Sequence, residues 1–196
     1  MSFDMVITGV GGQGSVLASR AIALTAMQKG YQVRTSETIG MAQREGSVIS
    51  NVRVGGGLYG AIIPDNKADI LMSFELAETA RGIGKLKPGG VIIVNRSKII
   101  PVSVPLGISV YDEGKIIAAL KAKADKVILL DATQGAVAAG SAKTVNVVLM
   151  GVLSTLKDLP FTRDELLSGI LELIPQRARD ANIRAFEIGC TLAEVS

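Results

Sequence analysis

The chain has 196 residues, with 21 basic and 18 acidic side chains (a formal charge of +3), no His, no Trp and one Cys. Without His there is no Ser–His–Asp triad, Cys–His pair or His-ligated zinc, and Cys190 alone can neither ligate an iron–sulfur cluster nor form a Cys-x-x-Cys pair. The charge is thin, and three Tyr and four Phe do not alternate with basic residues, which excludes a nucleic-acid surface.

Phe3 to Thr8 is a short apolar run that ends in Gly9-Val-Gly11-Gly12-Gln13-Gly14. Ser15 to Lys29 follows as a helix with Leu17, Ala21 and Leu24 on one face, closed by Gly30. Tyr31 to Ser36 reads as a second strand, so the chain opens as strand, Gly turn, helix, strand. Glu37 to Gly46 is polar and Gly-punctuated, a loop or short helix. Ser47 to Val54 alternates Val48, Val52 and Val54 against Asn51 and Arg53, which predicts a half-buried strand with Arg53 facing solvent. Gly55-Gly-Gly57 is its turn, and Leu58 to Ile63 is expected as its hairpin partner.

Ile70 to Phe74 and Val91 to Asn95 are apolar strands of the buried, parallel kind. Glu75 to Arg81 is a short helix, and Lys87-Pro-Gly-Gly90 a turn. Ile99 to Val104 and Ile108 to Tyr111 are short extended pieces. Gly114 to Ala124 is helical and Val127 to Leu130 is a further strand. From Asp131 the chain is helical. Val145, Val148, Leu149, Val152 and Leu156 recur at helical spacing, and Thr162-x-x-Glu165 is a capping box for a helix ending at Pro175. The last helix runs from Gln176 to about Ala193. The most apolar stretch, Val145 to Leu153, is half the ~20 residues a membrane span needs. No basic and apolar leader opens the chain, so a cytoplasmic location is expected. The expected fold is α/β over residues 1–196 as one domain: a Rossmann-like, mostly parallel sheet with an inserted antiparallel hairpin and a helical C-terminal third.

Gly9-x-Gly11-x-x-Gly14 sits between a strand and a helix, where glycines permit a tight turn and let a phosphate approach helix N-terminal amides. Glu37, 23 residues after Gly14, stands where a ribose-binding acid would. A dinucleotide site and a turn that needs glycine for packing fit these residues equally. A stand-alone NAD- or FAD-binding reductase is therefore one reading. The densest polar segment, Glu37 to Ser47, offers Gln43, Arg44 and Ser47 for a phosphate, a carboxylate or a partner chain. Asp69 and Asp131 at strand ends are expected to cap turns. Asn146 and Asn182 are expected as satisfied amides on apolar helices, and Cys190 as a small buried apolar residue. No set of residues makes a self-sufficient active site, which points to a subunit.

Taken together, Gly9-Val-Gly-Gly-Gln-Gly14, Gly40-Met-Ala-Gln-Arg44 with Gly46-Ser-Val48, Val52-Arg53, Ala68-Asp69, Lys87-Pro-Gly-Gly90 and Asn146-Val-Val-Leu-Met-Gly151 resemble the gamma subunits and domains of 2-oxoacid:ferredoxin oxidoreductases. Within that family the chain is most similar to the small subunits of the indolepyruvate type. The resemblance implies oxidative decarboxylation of a 2-oxoacid, capture of the acyl group by coenzyme A and transfer of electrons to ferredoxin. It implies that thiamine diphosphate, magnesium and iron–sulfur clusters sit on a large partner subunit, with none bound by this chain alone. It also implies a hetero-oligomer, or a homodimer when isolated, that is inactive alone; the composition already leaves no nucleic-acid or membrane partner expected. Gly11, Gly12, Gln13, Gly14, Gln43, Arg44 and Ser47 are then the expected contacts to coenzyme A or the partner. No catalytic or metal-ligating residue is expected. Many members have Gly at the position of Glu45 and His at the positions of Ile39 and Asn51, so the chemistry of that loop differs here.

Overall fold

A computed structural model describes residues 2–40, 46–101 and 103–195. Six strands form one sheet: β1 (Ser2–Val10), β2 (Val33–Ile39), β3 (Ser47–Gly55), β4 (Ala68–Ser73), β5 (Leu86–Asn95) and β6 (Lys126–Leu130). Their order is β2-β3-β1-β4-β5-β6. β1, β4, β5 and β6 are mutually parallel, whereas β3 runs antiparallel to both β1 and β2.

Alternation along the strands divides the core into two layers. Met5, Ile7, Met72 and Ile93 face one side and pack against α1 (Ser15–Gln28), α4 (Ala132–Ala138), α5 (Val145–Ser154), α6 (Arg163–Glu172) and α7 (Arg179–Val195). Val6, Leu71, Ile92 and Val94 face the other side and pack with Leu76 of α2 (Leu76–Gly82) and Leu120 of α3 (Glu113–Lys123). This is the expected α/β architecture with a helical C-terminal third. α5 is apolar on all sides, and Asn146 to Leu153 are buried without a break. α6 starts at the predicted capping box, with both Thr162 and Glu165 bonds made.

The antiparallel hairpin exists, but its members differ from those expected. β3 pairs with β2 across 40–46, and Leu58 to Ile63 forms no strand. Instead Ile63 is fully buried in the α2–α3 layer, and its N–H donates to Asn51 Oδ1 at 3.2 Å. That segment covers the outer face of β3. Glu37 therefore lies in a strand rather than a loop. β2 is also not a neighbour of β1, because β3 lies between them. Lys87 to Gly90 belongs to β5 as a bulge, since Ala68 pairs with Leu86 but Ile70 pairs with Val91. Described residues between 99 and 111 are turns and irregular chain rather than extended pieces.

Arg53 does not face solvent. Its guanidinium donates to both carboxylate oxygens of the nearly buried Asp4, Nε at 2.9 Å and Nη2 at 3.0 Å, and Nη1 reaches Gly60 O at 3.2 Å. One fork thus ties β1, β3 and the covering segment together. Asp4→Ala is expected to destabilise the fold by about 2 kcal/mol, because Arg53 is left half-paired beside the sheet. The double variant Asp4→Leu/Arg53→Met is expected to recover most of that loss, and urea unfolding of the three proteins checks it.

Candidate functional site

The turn from β1 to α1 is built on glycine. Gly12 and Gly14 have φ of +90° and +87°, a region that favours residues without Cβ. Gln13 does not project outward. Its Oε1 accepts from Val10 N–H at 2.9 Å and lies so close to Gly9 that a Cβ there would be 2.7 Å away. Gly11 N–H donates to Gly46 O at 2.9 Å, which fastens the turn to the start of β3. Gly14 is the N-cap of α1, and no side chain caps that helix. The amides of its first turn are therefore open.

A second helix begins at the same place. α5 continues the 3-10 turn Ala142–Thr144, whose Lys143 N–H is taken by Ser141 Oγ, and its Val147 N–H is taken by Asn146 Oδ1. Its Asn146 packs on Gly14 so tightly that a Cβ at Gly14 would lie 2.8 Å from Asn146 Nδ2. The two helix N-termini open on a cleft of about 430 Å³, lined by Gly12, Gln13, Gly14, Asn95, Thr133 and Lys143 among others. Lys143 is exposed and has no carboxylate partner among the described residues. Asn95 is buried at the carboxyl end of β5. It accepts from Ala132 N–H at 2.9 Å and donates to Phe74 O and Thr133 Oγ1 at 3.2 and 3.1 Å. It thereby seats α4 at the edge of the cleft. One uncapped helix end and one lysine, with no Asp or Glu in the lining, suit a bound anion.

Other predicted residues fall elsewhere. Ser47 donates to Glu78 Oε2 at 2.5 Å, and Glu78 is only 2% exposed and is also paired with Arg81. The Ser47 hydroxyl therefore locks β3 to α2 rather than entering the cleft. Gln43 and Arg44 lie outside the described residues, as does Glu45. Both ends of their segment are held: Gly40 N–H donates to Ser47 O at 2.7 Å, and Gly46 O accepts from Gly11. Glu37 accepts from Ser19 of α1 at 3.2 Å and is two strand spacings, about 10 Å, from β1. A ribose-binding acid needs the strand next to β1, so the dinucleotide geometry is not met. Asp131 caps α4 as expected, accepting from Gln134 N–H at 2.8 Å. Asp69 instead accepts from Asp4 N–H at 2.7 Å and pairs with Lys87.

Glu75, next to the α2 turn, is buried and accepts from Glu78 N–H, Ile99 N–H and Tyr111 Oη, which anchors the irregular segment after β5. Burial, reinforced by the Glu75 carboxylate, pushes the Tyr111 phenol up from its ordinary value. Burial also pushes the Cys190 thiol up. Cys190 is enclosed, donating to Gly151 O at 3.4 Å, as a buried apolar residue would be. It does not fit a cluster ligand. Among the described residues no group of three or more acidic or thiol side chains could hold a metal ion, and no helix is long and apolar enough to cross a membrane. A cavity of about 520 Å³ at the other end of the sheet is lined by Asp69, Lys87 and Lys126, but it lies at the amino ends of the parallel strands. Open α/β sheets bind ligands at the carboxyl ends. Sequence reading missed Asn95, Thr133 and Lys143, none of which carries a local signal.

The family model described as pyruvate ferredoxin/flavodoxin oxidoreductase matches residues 4–192. An indolepyruvate oxidoreductase subunit IorB from Thermococcus kodakarensis is 41% identical over 98% of this chain and 96% of its own length. The protein of the same name from Pyrococcus horikoshii is 39% identical over 98% and 96%. Among solved structures, the gamma subunit of a keto/oxoacid ferredoxin oxidoreductase from Geobacter sulfurreducens superposes with a TM-score of 0.71 at 21% identity, covering 99% of both chains. The 2-oxoglutarate:ferredoxin oxidoreductase of Magnetococcus marinus, with 2-oxoglutarate, coenzyme A and succinyl-CoA bound, superposes with a TM-score of 0.76 at 21% identity, over all of this chain and 31% of that one.

Proposed function

Because this chain belongs to the pyruvate ferredoxin/flavodoxin oxidoreductase family, we propose that it is the small subunit of a 2-oxoacid:ferredoxin oxidoreductase acting on indolepyruvate or a related arylpyruvate. The whole chain, 1–196, is one gamma-type domain in this reading, working in the cytoplasm in a hetero-oligomer. A large partner subunit carries thiamine diphosphate, magnesium and iron–sulfur clusters, decarboxylates the 2-oxoacid and passes electrons to ferredoxin. The donor set here supports that division: one enclosed thiol, no His and no metal-holding acidic group among the described residues.

The observation that carries the role of this chain is the cleft where α1 and α5 begin. Gly12 leaves room for a ligand, Lys143 supplies charge, and the open amides at the start of α1 supply donors. Among the anions of this reaction, a phosphate or pyrophosphate of coenzyme A is the one assigned to the cleft in this reading. In this reading Gly11 and Gln13 hold the turn, Ser47 holds the start of β3, and Gln43 and Arg44 face coenzyme A or the partner from the adjoining segment. The arylpyruvate assignment rests on the IorB relatives, which match nearly end to end.

Purified alone, the chain is expected to show no 2-oxoacid- and coenzyme-A-dependent dye reduction. Co-expressed with its large subunit, it is expected to support turnover, faster with arylpyruvates than with pyruvate. Robust turnover by the isolated chain would overturn the assignment. Calorimetric titration with NAD and FAD is expected to be silent, and micromolar binding would favour the stand-alone reductase instead.

A further inference from the structure

Behind the Gly-loop cleft lies a second cavity, of about 460 Å³, between the start of α1, the turn Ala142–Thr144, the end of α6 and the start of α7. Its walls are apolar: Leu17, Leu173, Ile174, Pro175, Ala178 and Ala181. Ser141, Thr144 and two asparagines interrupt them. Asn182 is 7% exposed and Asn146 is 3% exposed. Each amide is half used. Asn182 Nδ2 donates to Ala178 O at 2.7 Å, which leaves its Oδ1 without a donor. Asn146 Oδ1 accepts from Val147 N–H at 3.0 Å, which leaves its Nδ2 without an acceptor. Neither atom is sealed off: among the described residues the buried side-chain polar atoms without a partner are Ser50 Oγ and Arg179 Nε, so these two amide atoms are open to solvent. An acceptor and a donor left open on residues that line the cavity are groups a ligand could meet.

Charge gives the remaining element. Lys143 and Arg177 both line this cavity, neither has a carboxylate partner among the described residues, and no acidic side chain lines it. An apolar cavity with a few convergent polar groups is the usual form of a small-molecule site. We propose that this cavity is a binding site for a small carboxylic acid with a flat or branched apolar body and one hydrogen-bond donor. The carboxylate lies toward Lys143 and Arg177. The apolar body packs against Ile174, Pro175 and Ala181, and the donor meets Asn182 Oδ1. The site is distinct from the coenzyme A cleft but shares the wall formed by Leu17, Lys143 and Asn146, so its occupancy is coupled to that cleft.

The test is a titration of the full chain, followed through the backbone and side-chain amide signals of an NMR spectrum. The probes are 4-hydroxybenzoate, benzoate (no donor), 4-hydroxybenzyl alcohol (no charge) and inorganic phosphate (no apolar body). 4-Hydroxybenzoate is expected to shift the side-chain amides of Asn146 and Asn182 with the highest affinity of the four. The exposed change Arg177→Gln is expected to weaken it at least about fivefold, and Ala181→Phe, which fills the cavity, to abolish it. The proposal is overturned if 4-hydroxybenzoate leaves both side-chain amides unmoved up to about 10 mM, a concentration at which even very weak binding registers. It is equally overturned if phosphate shifts the same signals as strongly as the aromatic acid, or if Arg177→Gln and Ala181→Phe change nothing while the spectrum stays folded. None of these readouts depends on enzyme turnover.

Discussion

Gly151→Ala is expected to destabilise the chain by about 3 kcal/mol, near the upper end of the cost of overpacking a core, and to lower its melting temperature by about 10 °C. Gly189→Ala is expected to do the same. These two residues are the crossing point of α5 and α7. A Cβ at Gly151 would lie 2.2 Å from Phe186 O and 3.1 Å from Gly189 Cα, and a Cβ at Gly189 would lie 2.0 Å from Val148 O. The obstacles are backbone atoms, so no rotamer change relieves them and the helices must separate. Separation opens the apolar cluster at Val147, Val148, Phe186 and Cys190, all of which are buried. The bond from Cys190 Sγ to Gly151 O is lost with it. Gly56→Ala serves as the control, because a Cβ there meets nothing within 4 Å and φ is not positive. Thermal and urea unfolding of the three variants decides the matter. A shift below about 2 °C for Gly151→Ala, less than 1 kcal/mol in a chain of this size, would mean that the crossing is looser than described. The double variant is expected to lose less than the sum of the singles, since one separation relieves both clashes.

That crossing also shows where sequence reading stops. The marker Asn146-Val-Val-Leu-Met-Gly151 is visible as an apolar helix, but the reason for its terminal glycine lies in another helix. The local grammar was legible where cause and effect are neighbours. The strand, Gly turn and helix of residues 2–28 follow from a short apolar run passing through glycines into helical spacing. The capping box at Thr162 and the cap at Asp131 follow from side chains that reach amides three residues on. The β3 pairing was not legible in full. Val48, Val52 and Val54 demand one buried face, and either flanking segment could supply the neighbouring strand. Gly55-Gly-Gly57 favoured a turn there. The structure makes the hairpin on the other side and uses Asn51 and Arg53 to hold Leu58 to Ile63 as a cover. The same limit applies to the site. The glycines of residues 9–14 announce a turn that a ligand could approach. Lys143 and Thr133 join that turn only because α4 and α5 fold back onto it, and no spacing in the sequence encodes that return.

In the reconstituted complex, Gly14→Val is expected to lower kcat/KM for coenzyme A about 100-fold, or roughly 2.7 kcal/mol of binding and transition-state stabilisation, mostly through KM. Two effects combine. A β-branched residue is strained at φ +87°, and its Cβ would displace Asn146, whose Nδ2 lies 2.8 Å from that point. The displaced amide and the added methyl groups close the mouth between the two helix N-termini. Strain alone is measured by Gly30→Val. Gly30 has φ +81° at the far end of α1, and a Cβ there meets nothing within 4 Å. Gly30→Val is expected to lose comparable stability and to keep its KM. Lys143→Gln leaves the turn intact and removes only charge. It is expected to raise KM for coenzyme A about tenfold and to flatten its dependence on ionic strength, because the lost interaction is a partly exposed Coulombic one. If Gly14→Val and Lys143→Gln both retain the wild-type KM in an assembled complex, the cleft is not where coenzyme A is held. If instead both variants fail to assemble while Gly30→Val assembles, the same surface belongs to the partner subunit. Measuring assembly alongside KM separates a ligand site from an interface, the two roles that glycine and lysine at a helix N-terminus can serve.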